Sequence, residues 1–68
     1  MLNYQIHWTG IVNCNGHIEI HSGIKITHNK TQAEAIQFVK DFFNSGAFID
    51  WDAFLESDGV YIAEIEKE

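Results

Sequence analysis

The chain has no proline, a single cysteine and no long apolar run, and each absence excludes a class of protein. Cys14 has no partner for an internal disulfide, which excludes a disulfide scaffold and fits a reducing cytoplasm. No apolar stretch approaches the roughly 18 residues that a membrane-spanning helix requires. The first residues show neither the basic region nor the apolar core of a secretory signal. We therefore expect a cytoplasmic protein with no membrane partner.

Basic residues are also scarce, because 4 Lys and Arg stand against 10 Asp and Glu for a net charge of −6. Charges cancel within residues 1–34, and no Lys, Arg or His occurs between Asp41 and Glu66. A field of one sign repels nucleic acid and lipid headgroups and attracts basic surfaces. The sequence therefore predicts a basic protein partner and no direct contact with nucleic acid. The alternative is that the acidic surface only keeps a small protein soluble.

The length of 68 residues allows a single domain, which we assign to residues 1–68. A domain of this size buries only about 60% of the surface of its unfolded chain. Its core must be built from apolar side chains, which 46% hydrophobic and 13% aromatic residues can supply.

The first half of the chain has the period-two pattern of two half-buried strands, and so predicts a β-hairpin. Apolar residues recur at every second position in two segments: Tyr4, Ile6 and Trp8, then Ile18, Ile20, Ile24 and Ile26. A two-residue Asn15-Gly16 turn puts Trp8 and Ile18 on opposite faces. A three-residue loop from Cys14 to Gly16 puts both apolar sets on one face, with Gly16 at the left-handed bulge position. We expect the second register.

A helix over residues 32–44 is predicted by a capping box, in which Thr31 and Glu34 each satisfy a backbone N–H of the other. Apolar residues then recur at helical spacing: Ala35, Ile36, Val39, Phe42 and Phe43. Ser45-Gly46 supplies the stop. We expect this helix to lie across the apolar face of the hairpin.

The segment 47–58 allows two interpretations, because Asp50 can cap a short helix or the chain can be extended up to Trp51. We expect a loop that leads into a helical turn. Asp58-Gly59 then forms a turn before a final strand from Val60 to Ile65. The predicted fold is α+β: an antiparallel hairpin, one helix packed on the sheet, a short irregular or helical turn and a final strand, in the order ββαβ.

Four histidines raise the question of a metal site. On the expected register His7, His17 and His21 share the polar face of the hairpin, with Glu19 between them. Two strand residues four apart are about 13 Å from each other, too far to share one ion. No second cysteine exists to complete a zinc set. The sequence therefore predicts no metal ion.

Two enzyme interpretations are weaker than a binding function. Cys14 has His17 nearby as a base, but a hairpin loop offers no pocket in which to build an oxyanion hole. The carboxylates between Asp50 and Asp58 lack the spacing of a calcium-binding loop, and catalytic acids need a cleft. We predict a protein that is not an enzyme and has no cofactor.

The segment 48–58 has the composition of an interaction surface, because acids alternate there with aromatic residues. Buried aromatic anchors carry much of the affinity of an interface, and charge sets its association rate. The competing interpretation is that the aromatic residues only close the core, and we expect at least two of Trp51, Phe54 and Leu55 to do so. The predicted contact residues are Asp50, Trp51, Asp52, Glu56 and Asp58.

Residues 36–65 resemble the small acidic anti-CRISPR proteins of phages. The likeness is a helix, an Asn44 to Gly46 break and an acidic, aromatic segment running from Asp50 to Glu56. The resemblance implies a DNA-mimicking inhibitor in the cytoplasm of the host cell. Its partner would be a Cas nuclease or a subunit of a Cas surveillance complex. The carried-over contacts are Asp50, Asp52, Glu56 and Asp58. The chain lacks the additional N-terminal helix and third hairpin strand of that family.

Two other interpretations stay open. The segment Thr31 to Ile36 after a hairpin is similar to the helix start of HicB-type antitoxins, which neutralise a basic RNase toxin. The Leu-Pro-Gly segment that precedes that helix in the family is absent here. The third possibility is a phage structural or assembly protein that pairs through an exposed strand edge. The sequence allows a monomer or a small homo-oligomer.

Overall fold

The computed structural model describes residues 2–46 and 48–67, which form four strands and one helix. The elements are β1 (Leu2–Cys14), β2 (His17–Lys30), α1 (Gln32–Asn44), β3 (Phe48–Ser57) and β4 (Val60–Glu66). The strands form one antiparallel sheet in the order β2-β1-β3-β4. The helix packs on one face, here the covered face, and leaves the other as the open face. The α+β class is confirmed, but the order is ββαββ.

Within the segment 47–58, residues 48–57 form a strand, and the expectation of a loop and a helical turn was wrong. Residue 47 lies outside the described residues, but β3 begins at Phe48 and is extended throughout. Its odd-numbered residues Trp51, Ala53 and Leu55 are buried on the covered face. The even-numbered residues between them lie on the open face. This is the period-two pattern of a central strand, which the local helix signal at Asp50 does not overcome.

The turn between β1 and β2 is the two-residue one, and the expected three-residue loop was wrong. Asn15 and Gly16 both have positive φ, at 54° and 86°. A type I′ turn needs positive φ at both central residues, and its twist matches that of the flanking strands. Cys14 pairs with His17 and ends β1, so it belongs to the strand and not to a loop. The register shifts by one residue from the expected one, which turns every side chain of β2 to the other face.

Four isoleucines of β2 therefore lie on the open face and not under the helix. We call Ile18, Ile20, Ile24 and Ile26 the isoleucine stripe; their side chains are 59–71% exposed. Their places on the covered side are taken by polar or small residues, among them Gly23, Lys25 and Thr27.

The predicted helix, its cap and its stop are confirmed. The Thr31 side chain accepts from the N–H of Glu34 at 3.2 Å, and the Glu34 carboxylate accepts from the N–H of Thr31 at 2.9 Å. The helix ends at Asn44, and Ser45 is its C-cap. Because this signal depends on neighbouring residues only, it does not depend on how the strands pair.

The core lies between α1 and the two central strands. Phe43 is its centre, and its ring contacts those of Trp8, Phe48 and Trp51 at centroid distances of 5.2–5.3 Å. The neighbouring Phe42 ring lies 4.9 Å away. The other large side chains that are fully buried in the described part of the chain are Ile6, Val39 and Leu55.

Trp51 is anchored in this core by one polar contact. Its indole N–H donates to the Asn44 side-chain oxygen at 3.0 Å, which satisfies a buried donor at the end of α1. Gly10 leaves room for Phe48, since a Cβ there would lie 2.4 Å from the ring.

The second tight turn and the final strand are confirmed. Asp58 and Gly59 have φ of 52° and 78°, so β3 and β4 are joined by another two-residue turn with two positive φ values. β4 runs from Val60 to Glu66, one residue beyond the predicted end. Within residues 2–46 and 48–67, no helix is both long enough and apolar enough to cross a membrane.

Candidate interaction surface

The open face is divided into an apolar and an acidic side. The apolar side is the isoleucine stripe on β2, next to Ile11 on β1. The acidic side lies on β3 and β4, and neither strand contains Lys, Arg or His. We call its five carboxylates the acidic half: Asp50, Asp52, Glu56, Glu64 and Glu66.

The strand register shows how this division arises. In one row across the sheet, Ser22 on β2 is followed by Thr9, Asp52 and Glu66. Successive side chains of a strand alternate between faces, so residues two apart lie on the same face, roughly 7 Å from each other. Paired residues on neighbouring strands have Cβ atoms about 5 Å apart. The acidic half is therefore a two-dimensional array of negative charge.

Asp52 and Glu66 are directly opposite each other on β3 and β4, and both are exposed. Like charges in directly opposite positions destabilise a sheet. The described part of the chain gives neither carboxylate an ion pair. The nearest cation in sequence, Lys67, donates to the Ile49 carbonyl oxygen and not to either carboxylate.

Three of the five predicted contact residues share the open face: Asp50, Asp52 and Glu56. Asp58 lies at the end of the sheet, in the turn to β4. Trp51 was predicted to contact a partner, but its side chain is only 3% exposed and belongs to the core on the covered face. As expected, two of the three aromatic or large apolar residues, Trp51 and Leu55, are in the core.

Phe54 is an exposed aromatic residue at the centre of the acidic half. Its ring is stacked on the His7 imidazole at 4.5 Å with an interplanar angle of 2°, and Tyr61 lies 5.7 Å away on the other side. The His7 Nε2 atom is 2.8 Å from a Glu56 carboxylate oxygen, an ion pair when the imidazole is protonated. These contacts hold the Phe54 side chain in place on the surface.

A depression of about 370 Å³ lies next to Phe54, in the middle of the open face. Thr9 and Ser22 are opposite each other on β1 and β2, and their short side chains leave it open. Ile24 and Phe54 line its apolar side and Asp52 its acidic side. A long side chain with an apolar stem and a basic head fits this combination.

The expected grouping of histidines was wrong. His7 pairs with Ile24 and lies on the open face, whereas His21 pairs with Gly10 and lies on the other face. The His21 Nε2 atom contacts Glu19 at 3.0 Å, on an exposed part of the hairpin. Across residues 2–46 and 48–67, no three His, Cys, Asp or Glu side chains are grouped to hold a metal ion.

Glu64 and Glu66 belong to the surface, but the sequence alone did not place them there. Their signal is the alternation of acidic with apolar residues in 64–66, which indicates one shared face of β4. Recognising β3 as a strand is the missing step, since only then do these acids lie beside Asp52.

Comparison of the chain with protein-family models, with curated proteins and with solved structures gives no match.

Proposed function

We propose that this protein is a non-enzymatic inhibitor that binds a basic, nucleic-acid-binding surface of another protein through its acidic half. The observation that carries the proposal is the carboxylate array on β3 and β4, in which Asp52 lies directly opposite Glu66 and neither has an ion pair in the described part of the chain. An arrangement that weakens the sheet is explained if a basic partner supplies the missing counter-charge.

The array resembles a nucleic-acid backbone in its dense, regular negative charge. A nucleic-acid strand carries one charge per about 3.4 Å of its axis. The acidic half has one cross-strand pair of acids at roughly 5 Å, Asp52 with Glu66, and neighbouring acids along each strand, Asp50 with Asp52 and Glu64 with Glu66, at roughly 7 Å. Lys and Arg side chains arranged for closely spaced phosphates therefore meet closely spaced carboxylates, which supports mimicry of DNA.

Phe54 and the depression beside it provide a site for close packing against a partner, which charge alone does not provide. Exposed aromatic residues held in one conformation are frequent anchors of protein interfaces. A basic side chain of the partner can place its stem against Ile24 and Phe54 and its head against Asp52. The face thus combines long-range attraction with one site of close packing.

The partner that we propose is a Cas effector, either a nuclease or a subunit of a surveillance complex. Support for it is the resemblance of residues 36–65 to acidic anti-CRISPR proteins. In this chain the acidic segment is a strand, so the contacts come from a sheet face. The second candidate is a basic RNase toxin, as for HicB-type antitoxins, and it is supported by the capped helix that follows the hairpin.

Charge reversal of Asp52 tests the surface. In Asp52→Lys the new ammonium lies opposite Glu66, so the fold should gain about 0.5–1 kcal/mol while partner binding weakens at least tenfold. Binding is measured by competition with DNA for the purified effector at several salt concentrations, and stability by urea unfolding. The matched control is Asp41→Lys, an exposed acid on α1. Equal binding by both variants would show that the acidic half is not the interface.

A pull-down from cells that contain Cas effectors tests the partner separately. Recovery of a Cas protein that Asp52→Lys does not capture supports the proposal. Recovery of a small RNase toxin in its place overturns the Cas assignment and favours the antitoxin function.

A further inference from the structure

The strand β2 has a sequence that is complementary to itself in the antiparallel direction. Three of the four residue pairs at equal distances from Ser22, between residues 18 and 26, are both isoleucine or are opposite in charge: Ile20 with Ile24, Glu19 with Lys25, and Ile18 with Ile26. The fourth pair, His21 with Gly23, brings no like charges or bulky side chains together. β2 is also at the edge of the sheet, so one side of its backbone has no strand beside it in the described part of the chain.

The register of the hairpin determines which residues of β2 direct their backbone N–H and C=O groups to the free edge. In a hairpin with a two-residue turn, the closing pair, here Cys14 and His17, exchanges both backbone hydrogen bonds. Odd-numbered residues from His17 onward therefore direct their N–H and C=O groups to β1. Even-numbered residues, including Ser22, direct theirs to the free edge.

We propose that a second copy of this chain pairs with the free edge of β2, antiparallel and about a two-fold axis at Ser22. The even-numbered residues of both copies then face each other as hydrogen-bonded pairs, as the direction of their backbone groups requires. The two sheets become one sheet of eight strands, since each copy contributes its four. The isoleucine stripes of the two copies meet side by side on the open face.

Charge complementarity favours this register on the covered side. Glu19 of each copy lies opposite Lys25 of the other, which gives two opposite-charge pairs related by the axis. In the single chain the Lys25 Nζ atom lies 4.3 Å from the centre of the exposed Phe42 ring, and Glu19 contacts His21. Both charged groups are therefore already at the surface where the second copy arrives.

The apolar area also favours association. The isoleucine stripe exposes on the order of 400 Å² of apolar surface, close to the largest patch of a typical monomer and half of what each partner buries in a stable complex. Natural proteins protect the edges of sheets with charges, and β4 at the opposite edge carries Glu64 and Glu66. On the open face of β2, residues 18–26 present four isoleucines and Ser22 and no charge, so this edge is the one available for a copy.

A cysteine at the axis tests the register. In a Cys14→Ser background, Ser22→Cys brings two thiols into one hydrogen-bonded pair, where a Cα separation of about 5.5 Å suits a disulfide. Mild oxidation should join most of the protein into dimers. The matched control Ser45→Cys, at the exposed end of α1, should stay monomeric on denaturing gels. A dimer in sedimentation that does not cross-link at Ser22→Cys would overturn this interface, and a monomer at the highest soluble concentration would overturn the dimer.

Reversal of the charge pair gives a second, independent readout. Glu19→Lys sets like charges opposite each other at two places and should weaken the dimer roughly tenfold. Adding Lys25→Glu restores opposite charges and should restore most of the affinity. The matched control is Glu64→Lys on β4, which should leave the dimer unchanged. Failure of the rescue, with circular dichroism unchanged, would contradict the register and leave the proposed binding by the acidic half intact.

Discussion

β2 and β3 have the same alternating pattern in sequence and opposite outcomes in the fold. In β3 the apolar positions lie under the helix, and Leu55 is 0% exposed. In β2 the apolar positions lie on the open face, and Ile20 is 71% exposed. Alternation therefore indicates which residues share a face, but not whether that face is covered.

The position of each strand in the sheet explains the difference. β3 is a central strand and β2 is at the edge of the sheet, although α1 contacts both. The Trp8 indole from β1 reaches over Gly23, where a Cβ would lie 3.1 Å from the ring. The space above this part of β2 is thus filled by a neighbour's side chain, and its own large residues face the other way.

Truncation of one large residue on each strand should show the largest difference. Leu55→Ala removes a fully buried side chain and should lower the free energy of unfolding by about 3 kcal/mol. Ile20→Ala removes an exposed one and should cost less than about 1 kcal/mol, since only cross-strand contacts are lost. Urea unfolding of both variants measures the two values.

The two titrations are made at protein concentrations at which the midpoint no longer depends on concentration, so that association does not contribute. Similar losses for the two variants would mean that the open face of β2 is buried in the single chain. That result would contradict the exposure of the isoleucine stripe.

The parts of the fold that depend on neighbouring residues were predictable from sequence. The capping box at Thr31 and the Asp58-Gly59 turn are formed as expected, because a few adjacent residues provide their hydrogen bonds and φ values. The register of the hairpin was not predictable in this way. Burial of the isoleucine stripe favours the three-residue loop, whereas the Asn15-Gly16 dipeptide favours the two-residue turn that the structure has.

The candidate surface was predictable in composition but not in shape. Clustered acids indicated the region of Asp50 and Asp52 before any fold was known. Because residues 48–57 were predicted to be a loop and a helical turn, the sequence did not show that the Trp51 side chain lies on the opposite face from Asp50 and Asp52, in the core. Nor did it show the neighbouring acids of β4, because cross-strand partners such as Glu66 are distant in sequence.

A smaller effect on stability is expected from removing the hydroxyl of a threonine on each face of the sheet, Thr27 on the covered face and Thr9 on the open face. Thr27 is 4% exposed on the covered face, and its hydroxyl oxygen has no hydrogen-bond partner in the described part of the chain. Thr27→Val replaces the hydroxyl by a methyl group and should raise the free energy of unfolding by about 1 kcal/mol, since a buried, unsatisfied polar group is removed. The control is Thr9→Val on the exposed open face, where no gain is expected beyond that of strand propensity. A loss of stability in Thr27→Val would indicate that its hydroxyl is hydrogen-bonded.

The smallest effect concerns the helix cap, which belongs to neither face. Hydrogen bonds from the backbone and side chain of Thr31 lower the pKa of Glu34 below its ordinary value of 4.5. A carboxylate with a lowered pKa in the folded state stabilises the protein above its ordinary pKa, and this contribution is lost as the pH falls through the folded value. Glu34→Gln keeps the capping geometry but not the charge.

The variant Glu34→Gln should therefore be less stable than the parent at pH 7, and the difference should shrink as the pH falls below about 4.5. Urea midpoints at pH 7 and at pH 3 measure it. The control Glu64→Gln removes a charge from the acidic half, where its neighbours are acids, and should have the opposite sign at pH 7. A pH-independent difference for Glu34→Gln would mean that the carboxylate charge adds nothing to the cap. The local cap would then be set by hydrogen-bond geometry alone, as the strand faces are set by turn geometry.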